Sequence, residues 1–273
     1  MGGINTDCKD WLNEVQDSLR TVGFCVVDNV IDLQSCESGI KALRLSYAQV
    51  KDLVGQERLN AAGEEGVIRA PMAFEDFFYT LLKNKTIQSV SENIVDDTSI
   101  LHLQNGFIFP KYDPSKKVSN FQYTFHSDYP RNHNGYVASV NILITFSDIN
   151  EGDEIFYVVP GTHQSKHNLS QEYCSKNKIS ISAKAGSILV FDSTLRHCGG
   201  PNKTDGNWYG VNHQFTRSFM KQQLDYVRIL GDQACLEQQS RVQQMLGYYT
   251  RVVTSLDDYY QPASKRLYRS GQG

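Results

Sequence analysis

The chain has 273 residues, of which 40% are hydrophobic and 11% aromatic, and a formal net charge of −3. These values predict a protein with a substantial packed core and exclude the strongly basic balance that is typical of nucleic-acid-binding surfaces. Six scattered cysteines without a CxxC pair, an N-terminus without an apolar signal run and no long apolar segment favour a cytoplasmic protein that does not span a membrane.

The first 98 residues carry mostly helical patterns. Apolar residues recur at helical spacing in four segments, which we predict as helices: residues 11–19, 32–54, 73–84 and 86–95. A short apolar strand over 24–30 separates the first two helices, and Asp32 is placed to cap the second one. Residues 56–69 are rich in Gly, Glu and Asn and predict a loop. We interpret Arg69, at the end of this loop, as a solvated surface residue rather than as a contact for an anionic ligand.

The pattern changes from residue 99 onward. Seven segments are rich in β-branched and aromatic residues and are separated by turn residues: 99–109, 120–128, 136–146, 154–159, 178–183, 187–192 and 208–219. No long helical pattern separates these segments, so the sheets should be mostly antiparallel, as in a sandwich or a jelly roll.

We therefore predict a mainly β protein with flanking α-helices, organised as one domain over 1–273. Its predicted parts are a mostly helical N-terminal part (1–98), a jelly-roll core (99–220), and a C-terminal part with a helix over 232–247 and a tail (221–273).

The segment QYTFHSDYP contains the first candidate site. In an extended segment, side chains two positions apart lie on one face, so His126 and Asp128 would present an imidazole nitrogen and a carboxylate side by side. One more histidine would complete the ligand set of two His and one carboxylate that is typical of non-haem Fe(II) oxygenases. On its own, this tripeptide is also compatible with an ordinary strand.

The third ligand has to come from a later segment. His163 and His167 lie in the turn-rich PGTHQSKH, where exposed histidines are common. His197 follows the strand-like segment AGSILVFDSTLR and comes just past its end, which makes it the better candidate. We interpret His213, within the last predicted strand, as a hydrogen-bonded core histidine rather than a pocket residue.

Three segments together resemble the phytanoyl-CoA dioxygenase family of Fe(II)/2-oxoglutarate oxygenases: QYTFHSDYP, VVPGTHQSKH and AKAGSILVFDSTLRHCGGPNKTDG. The resemblance implies a double-stranded β-helix, which is a jelly roll, with His126, Asp128 and His197 as iron ligands. It also implies Fe(II), 2-oxoglutarate as cosubstrate and O2, and a small-molecule substrate that is hydroxylated or otherwise oxidised. Two alternatives stay open: a non-catalytic jelly-roll binding protein, and an iron oxygenase that does not use 2-oxoglutarate.

One position departs from the family pattern. The family holds the distal carboxylate of 2-oxoglutarate with the guanidinium fork of an arginine, about eleven residues after the second histidine. Trp208 stands at this position, and neither Arg nor Lys occurs between Lys203 and Arg217. Three explanations are open: Arg217 takes over, hydroxyls and amides bind the carboxylate, or the chain uses another 2-oxo acid or none. We predict Arg217 as the anchor, with Gln104 and Asn105 as further cosubstrate contacts.

The substrate itself is not predictable from the sequence. Arg131 and His133 follow directly after the HxD motif, where a substrate loop is expected. We predict both as contacts for a polar or anionic substrate.

Overall fold

Two β-sheets form the centre of the protein. The computed structural model describes residues 2–115, 120–129, 135–266 and 268–272. The strands are β1 (Ile4–Asn5), β2 (Phe24–Asp28), β3 (Val67–Arg69), β4 (Ile100–Phe109), β5 (Ser139–Thr145), β6 (Phe156–Val158), β7 (Ile179–Ser180), β8 (Ile188–Asp192), β9 (His197–Gly199) and β10 (Trp208–Thr216). The larger sheet has the order β1-β2-β8-β5-β10-β4-β3 and the smaller one β7-β6-β9; every pairing except β1 with β2 is antiparallel. The predicted fold class, a mainly β jelly roll with flanking helices, is confirmed.

Strand β10 shows how the larger sheet separates two regions. It is buried along its whole length and pairs with β4 on one side and with β5 on the other. Because side chains alternate along a strand, Val211 and Phe215 pack in the main apolar core, whereas Asn212 and Gln214 face a cavity between the two sheets. The even-numbered positions of β10 therefore contribute to the cavity.

Most helices pack on the face of the larger sheet that points away from this cavity. The helices are α1 (Trp11–Thr21), α2 (Leu33–Val54), α3 (Gln56–Ala61), α4 (Phe77–Lys83), α5 (Lys85–Ile94), α6 (Gln171–Asn177), α7 (Tyr226–Leu230), α8 (Asp232–Leu236), α9 (Ser240–Met245) and α10 (Leu256–Tyr259). Val15, Phe78 and Met245, from α1, α4 and α9, share one apolar core with the sheet. Asp32 caps α2 as predicted, because its side chain accepts a hydrogen bond from the N–H of Ser35 at 2.8 Å. No helix of the described ranges is long and apolar enough to cross a membrane.

The segment predicted as a loop over 56–69 contains both α3 and β3. Leu59 and Ile68 are buried in the main core. Their apolar contacts stabilise the ordered segment, although its composition is polar on average. Strand β3 then extends the larger sheet beyond β4 and ends at Arg69.

Two other predicted elements are shorter than expected. Residues 120–128, predicted as a strand, form a 3₁₀ turn over Phe121–Tyr123 and two isolated antiparallel bridges, at Asn120 and at His126. The turn begins at Asn120, whose side chain accepts a hydrogen bond from the backbone N–H two residues later at 2.9 Å. The helix predicted over 232–247 is two short helices, α8 and α9.

Candidate metal centre

Two histidines from distant parts of the chain lie directly opposite each other. His126 and His197 form a bridge in which the N–H of each residue donates to the carbonyl of the other at 3.0 Å. Their imidazole centroids are 4.4 Å apart. Residues directly opposite in an antiparallel pair have neighbouring side chains, so backbone pairing alone brings these rings together.

The carboxylate of Asp128 completes the group. Its Oδ1 lies 3.5 Å from Nε2 of His126, and its Oδ2 lies 3.7 Å from Nε2 of His197. One ligand atom from each of the three residues lies within 4.8 Å of the other two. Across the described part of the chain, this is the one group of three or more His, Cys, Asp or Glu side chains with such spacing. The structure thus brings together the three residues that the sequence predicts as metal ligands.

Backbone carbonyls determine which nitrogen of each ring carries its proton. Nδ1 of His126 lies 2.7 Å from the carbonyl oxygen of Thr124, and Nδ1 of His197 lies 3.0 Å from that of Leu195. A carbonyl only accepts, so each Nδ1 is the donor, and each neutral ring presents the lone pair of Nε2 towards Asp128. Metal-binding histidines commonly donate their other ring N–H in this way. The backbone therefore orients both rings with Nε2 towards Asp128, as a metal site would require.

The charges of the three side chains suit a divalent cation. Burial disfavours the charged form of Asp128, but His197 and then His126 outweigh this effect and lower the pKa of Asp128 to about 2. Burial, followed by the charge of His126, lowers the pKa of His197 to about 4. For His126, burial acts downward, but the hydrogen bond and charge of Asp128 raise the pKa overall. At neutral pH the group therefore contains an ionised carboxylate and a neutral His197, which are the protonation states that bind metal.

The three side chains line a cavity of about 240 Å³ between the two sheets. The ring of His197 is packed between Phe156 and Phe191, at centroid distances of 5.5 and 4.8 Å. His126 and Asp128 keep 23% and 24% of their side-chain surface exposed. His197 is thus held in an apolar wall, and His126 and Asp128 are partly accessible from the cavity.

This donor set fits iron. Two imidazole nitrogens and one carboxylate leave several coordination positions open, and this combination is typical of non-haem Fe(II) oxygenases. A family model described as phytanoyl-CoA dioxygenase (PhyH) matches residues 19–208, a range that contains all three ligand candidates. The chain belongs to the phytanoyl-CoA dioxygenase family. The family membership that the sequence motifs predict is confirmed.

Members from mycobacteria are similar over nearly the whole chain. The proteins described as "Uncharacterized protein Mb1539" of Mycobacterium bovis and "Uncharacterized protein Rv1501" of Mycobacterium tuberculosis are each 45% identical over 262 residues. Each match covers 96% of this chain and 96% of the relative. The similarity therefore extends beyond the family match, into the segments that follow β10.

Solved structures share the fold at low sequence identity. HygX from Streptomyces hygroscopicus, solved with nickel and 2-oxoglutarate, is 17% identical with a TM-score of 0.56, over 80% of this chain and 93% of that one. The apo structure of the non-heme monooxygenase ThoJ is 14% identical with a TM-score of 0.59, over 77% and 80%. The epimerase SnoN, in complex with Fe3+, alpha ketoglutarate and nogalamycin RO, is 14% identical with a TM-score of 0.54, over 75% and 83%. The family, these structures and the donor set agree with the predicted cofactors, which are Fe(II), 2-oxoglutarate and O2.

The two predicted cosubstrate contacts on β4 point to opposite faces of the sheet. Asn105 lines the cavity. Gln104 points away from it: its Oε1 accepts from the N–H of Met72 at 3.2 Å, and its Nε2 lies 3.0 Å from Nε2 of His213. Successive side chains of a strand alternate between faces, so the two cannot reach the same ligand. Asn105 stays a candidate contact, and Gln104 connects β4 with β10 and with the chain before α4.

His213 is fully buried beside Gln104, and burial lowers its pKa to about 3. In the unfolded chain its pKa is the usual one of about 6.5, so below that pH the unfolded state binds more protons than the folded state. Stability should therefore fall as pH drops from the unfolded value towards the folded one. We expect wild type to lose about 1 kcal/mol per pH unit more than His213→Gln in this window, measured by urea unfolding at a series of pH values. Equal losses in the two proteins would contradict this expectation.

The structure does not bring Arg217 to the cavity. This residue directly follows β10 at an odd-numbered position, on the face opposite the metal centre. Its Nη1 lies 2.7 Å from a carboxylate oxygen of Asp96, its Nε donates to the carbonyl of Val137 at 3.3 Å, and its guanidinium lies 4.6 Å from the ring centre of Tyr136. Through these contacts Arg217 holds the end of β10. It is therefore not placed to bind a ligand in the cavity, and a cosubstrate carboxylate would need another residue as its anchor.

Arg131 and His133, predicted as substrate contacts, lie outside the described residues. Two glutamines of the described part line the cavity instead. Gln122 belongs to the 3₁₀ turn before His126, and Gln223 lies between β10 and α7. Neither side-chain amide forms a hydrogen bond to another described residue, so both are available to a ligand.

Arg69, which the sequence predicts as a solvated surface residue, lies at the cavity instead. Its side chain is 30% exposed, lines the cavity and forms a 2.6 Å ion pair with Glu64. Asn212 is a second cavity residue that the sequence did not reveal. The alternation in Val-Ile-Arg is compatible with a strand, but only its register against β4 shows which face Arg69 occupies.

Proposed function

We propose that this protein is an Fe(II)- and 2-oxoglutarate-dependent dioxygenase that hydroxylates or otherwise oxidises a small molecule. The observation that carries the proposal is the convergence of two imidazole Nε2 atoms and one carboxylate in the cavity, from His126, His197 and Asp128. Membership of the phytanoyl-CoA dioxygenase family supports an oxygenase class. Structural relatives that bind a metal together with 2-oxoglutarate support this pair of cofactors.

Each residue of the centre has a defined task in this proposal. Bound iron and 2-oxoglutarate would supply the oxidising chemistry, with succinate and CO2 as co-products. His126 and His197 would hold the metal through Nε2, and Asp128 would hold it through an oxygen that is ionised at neutral pH. A carboxylate at this position, rather than the small residue of related halogenases, favours hydroxylation or another oxidation over halogenation.

The remaining cavity residues control access. Phe156, Phe191 and Leu143 line the wall near the metal centre, and their apolar surfaces limit the number of water molecules that can reach it. Gln122 and Gln223 offer uncommitted amides to a polar substrate. On sequence grounds, Arg131 and His133 remain proposed substrate contacts.

Turnover of 2-oxoglutarate tests this proposal without a known substrate. Protein loaded anaerobically with Fe(II) is mixed with 2-oxoglutarate and O2, and both O2 consumption and succinate are measured. We expect iron-dependent succinate formation at a slow basal rate, and its loss in His126→Ala. The matched control is His167→Ala, which removes an exposed histidine of the PGTHQSKH loop and should leave the basal rate unchanged.

Two results would contradict the proposal. Iron-dependent O2 consumption without succinate would point to an oxygenase that does not use 2-oxoglutarate. A wild-type protein that forms no more succinate than His126→Ala would favour a non-catalytic jelly roll.

A further inference from the structure

In this chain, aromatic packing fills the position at which the family has its carboxylate-binding arginine. Trp208, at the start of β10, is 1% exposed. Its indole N–H donates to the hydroxyl of Thr145 at 3.0 Å, and its ring centroid lies 5.4 Å from that of Phe109. A Cβ placed on Gly210 would come within 2.4 Å of the indole, so the ring lies against this backbone and fills the space over it. A distal carboxylate has to be bound elsewhere.

Three polar side chains cross the cavity face of the larger sheet closer to the metal centre. Arg69 of β3 is paired with Asn105 of β4, and Asn105 is paired with Asn212 of β10. Directly paired residues point to the same face, and all three line the cavity that also contains the metal centre. A guanidinium and two amides therefore stand side by side; we call Arg69, Asn105 and Asn212 the polar row.

The polar row is displaced from the metal centre along the strands of the larger sheet. The ring of Phe191 is 4.8 Å from that of His197, so Phe191 marks the level of the metal ligands. Across the sheet, Phe191 is paired with Asn141, which is paired with Gln214. The polar row follows two residues away along β10, at Asn212. Two residues of a strand span about 6.6 Å, which can accommodate both the bond from the metal to the keto oxygen and the carbon chain that leads to the distal carboxylate of a five-carbon 2-oxo diacid.

Arg69 provides the charge that a carboxylate needs. Among the described residues that line this cavity, it is the one Lys or Arg. Glu64 accepts hydrogen bonds from its Nε and Nη2 at 2.9 and 2.6 Å and thereby fixes the direction of the planar guanidinium. A buried carboxylate is costly without a partner, and a guanidinium is the side chain best suited to pair with it.

The two amides can turn donors towards the same ligand. Asn105 is buried and forms no side-chain hydrogen bond within the described residues, so its amide can rotate by half a turn at little cost. Asn212 donates to Oδ1 of Asn141 at 2.7 Å, and Asn141 donates to the hydroxyl of Ser193 at 2.8 Å. Rotating the amides of Asn212 and Asn141 by half a turn keeps these two contacts with their directions reversed, because a serine hydroxyl can donate as well as accept. The Nδ2 groups of Asn105 and Asn212 would then face the cavity.

We propose that the polar row holds the distal carboxylate of the 2-oxo acid, in place of the arginine that the family has at the position of Trp208. This inference rests on the proposed function, since it concerns the cosubstrate of the same centre. It makes Arg69 the ion-pairing residue and gives Asn105 and Asn212 a positioning role through hydrogen bonds. The distal carboxylate would then lie over β4, between β10 and β3.

Binding of two 2-oxo acids to the Ni(II)-loaded protein tests the polar row without turnover. 2-Oxoglutarate and 2-oxopentanoate share one five-carbon chain and the same metal-chelating end, but only the former has a distal carboxylate. We expect calorimetric titration of wild type to give about 10- to 100-fold tighter binding of 2-oxoglutarate, the range of a charge-assisted hydrogen-bonded pair. Arg69→Gln should bring the two affinities within about threefold of each other, and Arg69→Lys should restore part of the difference.

Asn105→Asp is a second variant that does not depend on removing the Arg69–Glu64 ion pair. The new carboxylate would lie beside Arg69 in the strand register, compete with the ligand for its guanidinium and repel the distal carboxylate. The preference for 2-oxoglutarate should be lost while 2-oxopentanoate still binds. Arg217→Gln is the matched control, because it removes an arginine outside the cavity, and it should leave the preference unchanged.

The outcomes separate this inference from the proposed function. If wild type binds neither acid, the proposed function fails. If it binds both acids equally, or if its preference survives in both Arg69→Gln and Asn105→Asp, the polar row is overturned while the metal centre stands. Loss of the preference for 2-oxoglutarate in Arg217→Gln alone would identify Arg217 as the residue that binds the distal carboxylate.

Discussion

Replacing Asp128 with alanine is expected to weaken iron binding by more than about 100-fold. Loss of a residue that only hydrogen-bonds to a metal ligand already costs about 10- to 100-fold. The change removes the one anionic ligand and leaves only the two neutral imidazoles of His126 and His197. The carboxylate has a pKa of about 2, so at neutral pH the wild type offers a full negative charge to the cation. Anaerobic calorimetric titration with Fe(II) measures the effect directly.

The control for this prediction is Asp192→Asn. Asp192 ends β8, and its Oδ1 accepts hydrogen bonds from the N–H and hydroxyl of Thr194 at 2.8 and 2.6 Å. It lies outside the ligand group, and an asparagine oxygen can keep both bonds. Iron affinity should be unchanged in Asp192→Asn. An Asp128→Ala protein that binds Fe(II) as tightly as wild type would show that the metal, if bound at all, is held elsewhere.

Replacing Phe191 with alanine should produce the largest loss of stability among single changes near the site. Phe191 is 2% exposed, and its ring contacts those of Phe156 and His197 at centroid distances of 5.7 and 4.8 Å. Truncating a buried phenylalanine removes its transfer free energy and leaves a cavity, which together cost about 3–5 kcal/mol. Denaturant unfolding of the metal-free protein gives the free energy of unfolding.

Phe219→Ala is the matched control, because Phe219 is 63% exposed after β10. A surface substitution of this kind should change the free energy of unfolding by no more than about 0.5 kcal/mol. The Phe191→Ala protein should also bind Fe(II) more weakly, since His197 loses one of its two packed walls. Similar unfolding free energies for the two variants would mean that Phe191 does not support the centre.

Much of the fold could be predicted because strand formation depends on local composition. The segments that became β4, β5, β8 and β10 combine β-branched and aromatic residues with turn residues at their ends. Residues 56–69 and 120–128 were assigned wrongly for opposite reasons. The former is polar on average, yet its three buried apolar residues, Leu59, Val67 and Ile68, hold it against the core. The latter has strand-like residues but turns at Asn120.

The candidate site was predictable where its residues lie close in the chain and not where strand register decides. His126 and Asp128 form one tripeptide, and His197 lies in a motif that resembles a family pattern. Arg69 and Asn212, by contrast, share the cavity only because β3, β4 and β10 pair in one register. A shift of one residue would turn each side chain to the other face, and no single-sequence pattern sets that register.

The most direct test of the metal centre is an iron-edge anomalous map from crystals grown anaerobically with Fe(II) and 2-oxoglutarate. We expect one strong peak within coordination distance of Nε2 of His126, Nε2 of His197 and a carboxylate oxygen of Asp128. A map with iron bound at other residues, or with no iron between these three side chains, would contradict it.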